Sequence, residues 1–570
     1  MKRIAAVFVA LVLVAGGGLA LAVDDPPQGA TCDGGTLLQT VTGSFTRAEQ
    51  GAYVMVPFMV PSGTTRVRVK LSHDQIAFPN PVTKHTLDLG MYEATDPGDG
   101  FWDANEFRGW GGSSRLNQCV SAHEATLGFR PGPIPAGEWA AEIGVAAVAG
   151  PAEGDPDGRV NWTLEVYLDT ADQGPPWTPT PYDTTPANPN PGWYAGDFHV
   201  HGEHSNPADA STRQVLDYAF RPSSQLGGGA DLDFITLSDY VTDRHWDEVG
   251  HYQADYPGKL IVRSSEVITY RGHIINHASL NQVDHRTGPV YERLADGTLD
   301  LIRGARPASD VFDDIHAGGQ GWAQVAHPTT FPSTVPGFAN FCRGCSWEYS
   351  DEETSWNKVD AMEVQTGPAG TGEYIQGQRV GQDGTLGPNP FTPLAIEWFD
   401  RLQRQGYDVT AVGASDSHKA GAHDLLSAPI GEGQTVVYAN ELSEAGIRDG
   451  IRAGHAYVKM FGSHGPDLRF TARPIGGGAR VMMGDELTAT AVKFSATVIG
   501  AATGPGALTL HVFRDGVPIL AFPVPNDSAD DEHTVKFVGV APGDYRLQLQ
   551  RGTAIEALTN PINVTLPTLP

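Results

Sequence analysis

The stretch DFHVHGEHS, residues 197–205, closes an apolar run and places three histidines within nine positions. In a strand, side chains two apart share a face, so His199 and His201 should point together while His204 lies past the strand. A lone H-x-H most often sits in solvent. It becomes one wall of a metal site only if other parts of the chain supply the remaining ligands.

Working outward, the same pattern recurs. DLDFITLSD ends on Asp239, KLIVRSSE on Glu266, GWAQVAH on His327, and YDVTAVGASDSH on Asp416 and His418. Helical patterns fall between these runs, at 210–221, 309–319, 393–406 and 441–454. Strands alternating with helices predict βα units and a largely parallel sheet or barrel, whose strand ends gather on one face. Taken singly, each residue has a plainer explanation: a carboxylate after a strand caps a helix, and His327-Pro328 is a turn. It is the coincidence at every strand end that points to metal. Imidazole and carboxylate together suit Zn²⁺, Mn²⁺ or Fe²⁺, and the set is larger than one ion needs.

DFHVHGEHS, ITLSDY, SSEVITYRGHIINH, VAHP and GASDSH stand in the order of the motifs of the PHP (polymerase and histidinol phosphatase) family. The E…GH…HP…SDSH pattern most resembles its carbaryl-hydrolase-like branch (CehA/McbA). The resemblance covers residues 193–462. It implies an α/β fold, a distorted, TIM-like βα barrel of about seven strands. It also implies two or three divalent ions and hydrolysis of phosphate esters or, in this branch, of carboxyl esters, amides or carbamates. Carried over, His199, His201 and Asp416 would hold one ion. Glu266 would bridge to a second, held also by His327 and by either His273 or His277. Asp239 and His418 would face a third position. There the family often reads T-D-H, whereas this chain reads Ser238-Asp239-Tyr240, so a third ion would need His204 in compensation. Asp416 and His418 are the candidates for moving a proton to the leaving group.

The flanks read differently. Residues 1–22 have a basic start, an apolar run and Ala20-Leu21-Ala22, the pattern of a cleaved export signal rather than a membrane anchor. Residues 23–178 and 463–570 alternate in period two and predict β-sandwich-like domains, the second immunoglobulin-like, with a hairpin at Asp515-Gly516. A Pro-rich linker, 179–192, separates the first of them from the middle segment. In an exported chain the four cysteines should pair as Cys32–Cys119 and Cys342–Cys345. With 38 Lys and Arg against 67 Asp and Glu, a net charge of −29 argues against a nucleic-acid partner.

Weaker candidates are a calcium-like loop at 96–106, which lacks EF-hand spacing, and Arg271 and Lys419 as contacts for an anionic substrate. No G-x-S-x-G is present to support a serine hydrolase. The sequence therefore predicts an exported, metal-dependent hydrolase, acting on a small-molecule or polymer ester or amide. The rival is a non-catalytic protein that contacts cell surface or polysaccharide through its β domains.

Overall fold

The computed structural model describes residues 29–567, apart from 81–82, 95–101, 172–173, 225–227, 336–337, 339–341, 368–388, 423–427, 501–505 and 526–531. The candidate export signal and most of the 96–106 loop lie outside the described residues.

The expected α/β barrel is not formed. Among the described residues the chain is mostly strand, arranged in four sheets with six short α-helices, and no TIM-like ring of alternating strands and helices is present. The physical reason lies at Tyr270 and Arg271. These two residues close a hairpin, so Gly272–His277 runs antiparallel to Leu260–Thr269 and to Trp322–Val325. A two-residue turn, not a crossover helix, joins the first two of these strands. Among the described residues, parallel pairing between strands of the middle segment falls into two groups, Gly192–Val200 with Phe234–Leu237 and Leu260–Thr269, and Trp322–Val325 with Ala361–Gln365 and Thr410–Gly413.

The strand ends nonetheless meet. Val200 bridges Ser417 in parallel, with His201 N–H donating to Ser417 O and Asp416 N–H to His199 O, both at 2.9 Å. Tyr240 bridges Glu266 in the same sense. The helix Thr212–Phe220, capped reciprocally by Ser211 and Gln214, buries Val215, Leu216, Ala219 and Phe220 in a core with Leu232 and Ile235.

The N-terminal segment is a sandwich of a four-stranded and a six-stranded sheet. In Arg66–His73 the alternation is read directly: Val67, Val69 and Leu71 are buried and the arginines and lysine between them are not. Each such burial is worth roughly 1.5–3 kcal/mol. The hairpin Val290–Arg293 and Leu299–Arg303, from the middle of the chain, supplies two of the six strands, Val290–Arg293 pairing with Tyr53–Val60. At the other end Ala456–Lys459 pairs with Ala554–Thr559, so the largest sheet continues into the C-terminal strands. Asp515 and Gly516, at φ 53° and 74°, turn the expected hairpin between Leu508–Arg514 and Val517–Val524.

The Pro-rich linker is strapped down. Tyr182 OH donates to Ile261 O at 3.0 Å, and Ala187 and Asn188 pair with Leu442. Both cysteine pairs form disulfides, Cys32–Cys119 and Cys342–Cys345.

Candidate metal centre

His199 and His201 lie at the end of Gly192–Val200 and face the same side, as alternation requires. Their Nε2 atoms are 2.9 Å apart. Asp416 Oδ1 lies 3.1 Å from His201 Nε2 and 3.4 Å from His199 Nε2. Glu266 spans the centre. Its Oε2 is 3.5 Å from His199 Nε2 and 3.4 Å from His201 Nε2, while its Oε1 is 2.9 Å from His273 Nδ1 and 3.1 Å from His327 Nε2. All four histidines are buried, whereas the Asp416 side chain is 31% exposed and marks the open side. His327 and Asp416 adopt positive φ, 28° and 52°, a conformation that costs about 1–3 kcal/mol and clusters at functional sites.

The hydrogen bonds behind the histidines settle where their protons are. Ser205 Oγ gives its only proton to Asp239 Oδ1 at 2.6 Å, so it accepts from His201 Nδ1–H at 2.9 Å. His199 Nδ1–H donates to Glu363 Oε1 at 2.8 Å. His273 Nε2–H donates to Arg343 O at 3.0 Å and His327 Nδ1–H to Cys345 O at 2.8 Å. The inner ring nitrogens, each offering a lone pair or holding a second proton, face each other or an acceptor-only carboxylate. Such a set is stable only with cations inside it, metal ions or protons.

The charges respond accordingly. Burial opposes ionisation of Glu266, but His199 and His273 outweigh it and hold the carboxyl well below its usual range. Burial likewise opposes a charged His199, yet Asp416, Glu266 and Glu363 raise it well above an ordinary histidine. For His327, Glu266 overcomes burial and lifts the ring to about 9.

Three groupings could hold a metal ion: His199 with His201 and Asp416, His199 with Glu266 and His327, and His273 with His327 and Cys345. In the last, Cys345 is tied up in its disulfide.

Other candidate ligands take supporting places. His277 stacks on Trp322 with ring centroids 3.7 Å apart and bonds Ser264 Oγ and Gln324 Oε1; burial pushes it down to about 3. Of the two competing histidines, His273 is the one at the centre. Asp239 accepts from Gly202 N–H, Ser205 N–H and Ser205 Oγ, and so shapes the 202–205 turn. His204 faces away, accepting from Gly128 N–H at 3.0 Å and meeting Glu248 Oε2 at 2.9 Å. It does not compensate for Tyr240. Instead the Tyr240 hydroxyl lies 3.1 Å from His418 Nε2, and His418 Nδ1 meets Asp209 Oδ2 at 2.9 Å. That chain closes the third position with hydrogen bonds. Arg271 is paired with Glu353, and Lys419 is exposed.

Sequence reasoning missed Glu363, Ser205, Asp209 and Arg115. Glu363 had a readable signal, a carboxylate inside the buried strand Ala361–Gln365. Arg115 had none. It reaches from the N-terminal sandwich to donate to the carbonyls of Glu203, His204 and Ser205, and so clamps the turn that orients His201.

No family model and no curated protein matches the chain.

Proposed function

We propose that the chain is a metal-dependent phosphoesterase, holding two divalent cations on either side of Glu266. The observation that carries this reading is the Glu266 carboxylate, each of whose oxygens faces the lone pairs of a different histidine pair. His199, His201 and Asp416 would hold one ion, and His273 and His327 the other. The donors are nitrogen and oxygen only, which suits Zn²⁺, Mn²⁺ or Fe²⁺. The ordered motifs resembling the PHP family support the same assignment.

When bound, such ions polarise the ester and acidify a water for attack. The chain's own residues supply the rest. His418 sits at the open side beside Asp416, with Nε2 and Asp416 Oδ1 3.6 Å apart. Burial disfavours its charge, but Asp209 and Asp416 outweigh this and hold the ring above its ordinary value. His418 can therefore carry a proton to the leaving oxygen. Arg343 hangs from the loop that holds His273, and its buried Nε has no partner among the described residues. The candidate signal and the two disulfides support export.

A panel of chromogenic phosphomonoesters, phosphodiesters, carboxyl esters and aryl carbamates tests the proposal, run with Mn²⁺ or Zn²⁺ and with EDTA. Metal-dependent turnover of a phosphate ester is expected. Turnover of carbamates or carboxyl esters alone would move the chemistry to the branch's alternative. No metal-dependent turnover would favour the surface-binding role.

A further inference from the structure

The Cys342–Cys345 disulfide closes a loop that belongs to the centre. Two carbonyls of this one loop, Arg343 O and Cys345 O, fix the tautomers of His273 and His327. The loop is pressed tightly against the site: a Cβ on Gly344, at φ +83°, would meet Thr269 O at 2.1 Å and the His273 ring at 3.0 Å. The Cys345 sulfur and one ligand nitrogen from each of the same histidines lie within 4.8 Å of one another. As half of a disulfide that sulfur cannot ligate; as a thiolate it can. Cys345 is buried at 9% exposure while Cys342 is more open, so a reductant reaches Cys342 first.

We infer that the Cys342–Cys345 pair is a redox-controlled part of the metal centre. Closed, it holds His273 and His327 for an all nitrogen-and-oxygen site. Opened, it releases Cys345 to join those histidines in a softer His₂Cys site. This rests on the metal-centre reading above. The step balances with a dithiol reductant: one thiolate attacks Cys342 Sγ, and Cys345 leaves with the electron pair of the S–S bond. The second thiol then displaces Cys342 and closes the reductant's own disulfide. The two protons released by the dithiol end on Cys342 and, until metal displaces it, on Cys345. A thiolate shifts preference from Mn²⁺ towards Zn²⁺ and other softer ions.

Cobalt(II) reports sulfur ligation directly through a thiolate-to-metal charge-transfer band in the near ultraviolet. Oxidised protein should bind Co²⁺ without that band. Protein reduced with a water-soluble phosphine and then desalted should show it. Cys342→Ser, which leaves Cys345 free, should show it without reductant, and Cys345→Ser should never show it. The reduced wild type gives the same readout should a variant fold poorly. Co²⁺ bound by reduced protein and by Cys342→Ser with no sulfur band overturns the inference, as does a band that persists in Cys345→Ser. Co²⁺ binding only in the reduced form and Cys342→Ser, with the band, supports the inference while removing the two-ion reading. No Co²⁺ binding in any form removes both.

Discussion

His199 Nε2 and His201 Nε2 face each other across 2.9 Å, each with its proton on the far side of the ring. Two lone pairs at that distance repel unless a cation lies with them. The same situation recurs where His273 and His327 face Glu266 Oε1. Glu266 connects the two halves.

Glu266→Gln removes the shared charge and points an amide donor at a histidine pair. Metal affinity should fall at both halves by about 100-fold or more, read by competition titration with a chromophoric chelator. Loss at one half only would mean that the carboxylate does not bridge.

Glu363→Gln keeps the shape but offers His199 Nδ1–H a poorer acceptor. Metal affinity should drop about 10–100-fold with the fold retained. An unchanged titration would show that Glu363 does not set the His199 tautomer.

His277→Ala separates packing from ligation. The ring is fully buried against Trp322, so its loss should cost about 2–4 kcal/mol in denaturant unfolding. The folded fraction should bind metal as the wild type does. His273→Ala should do the reverse, losing metal with little change in stability.

Arg115→Ala leaves the three carbonyls of residues 203–205 without their donor, at about 1–3 kcal/mol for each one that stays buried. The turn should loosen, Ser205 should release His201, and metal affinity should fall about tenfold. An Arg115→Ala protein that titrates like wild type would show that the N-terminal sandwich does not support the centre.

Asp88 predicts a pH effect away from the metal. Burial raises it to about 6, against a lowering hydrogen bond from Tyr270 OH at 2.7 Å. Its folded pKa lies above its unfolded value near 3.9. The protonated form therefore stabilises fully below about 4, and that stability is lost as pH rises through about 6. Asp88→Asn should gain thermal stability relative to wild type as pH goes from about 4 to about 6, by about 3 kcal/mol at most. A difference that stays flat with pH would contradict this.

The sequence made the ligand types legible because they end apolar runs, and alternation put His199 and His201 together. It did not show the direction of each strand. His273 and His277 are four apart and share a face, so only direction separates them. Because Gly272–His277 runs antiparallel to Leu260–Thr269, His273 lies opposite Ile268, towards the end of that strand where the other ligands gather, while His277 lies opposite Ser264, further back. The same reversal breaks the βα rhythm on which the barrel expectation depended. Glu363, Ser205 and Arg115 were hidden for another reason. They touch the ligands rather than the ion, and such contacts depend on packing between distant segments.

Anomalous X-ray scattering from crystals of the metal-loaded protein locates the ions. Two anomalous peaks are expected flanking the Glu266 carboxylate. One should lie within bonding reach of His199, His201 and Asp416, the other within reach of His273 and His327. No peak there, or peaks only elsewhere in the molecule, would rule out a two-ion centre at Glu266.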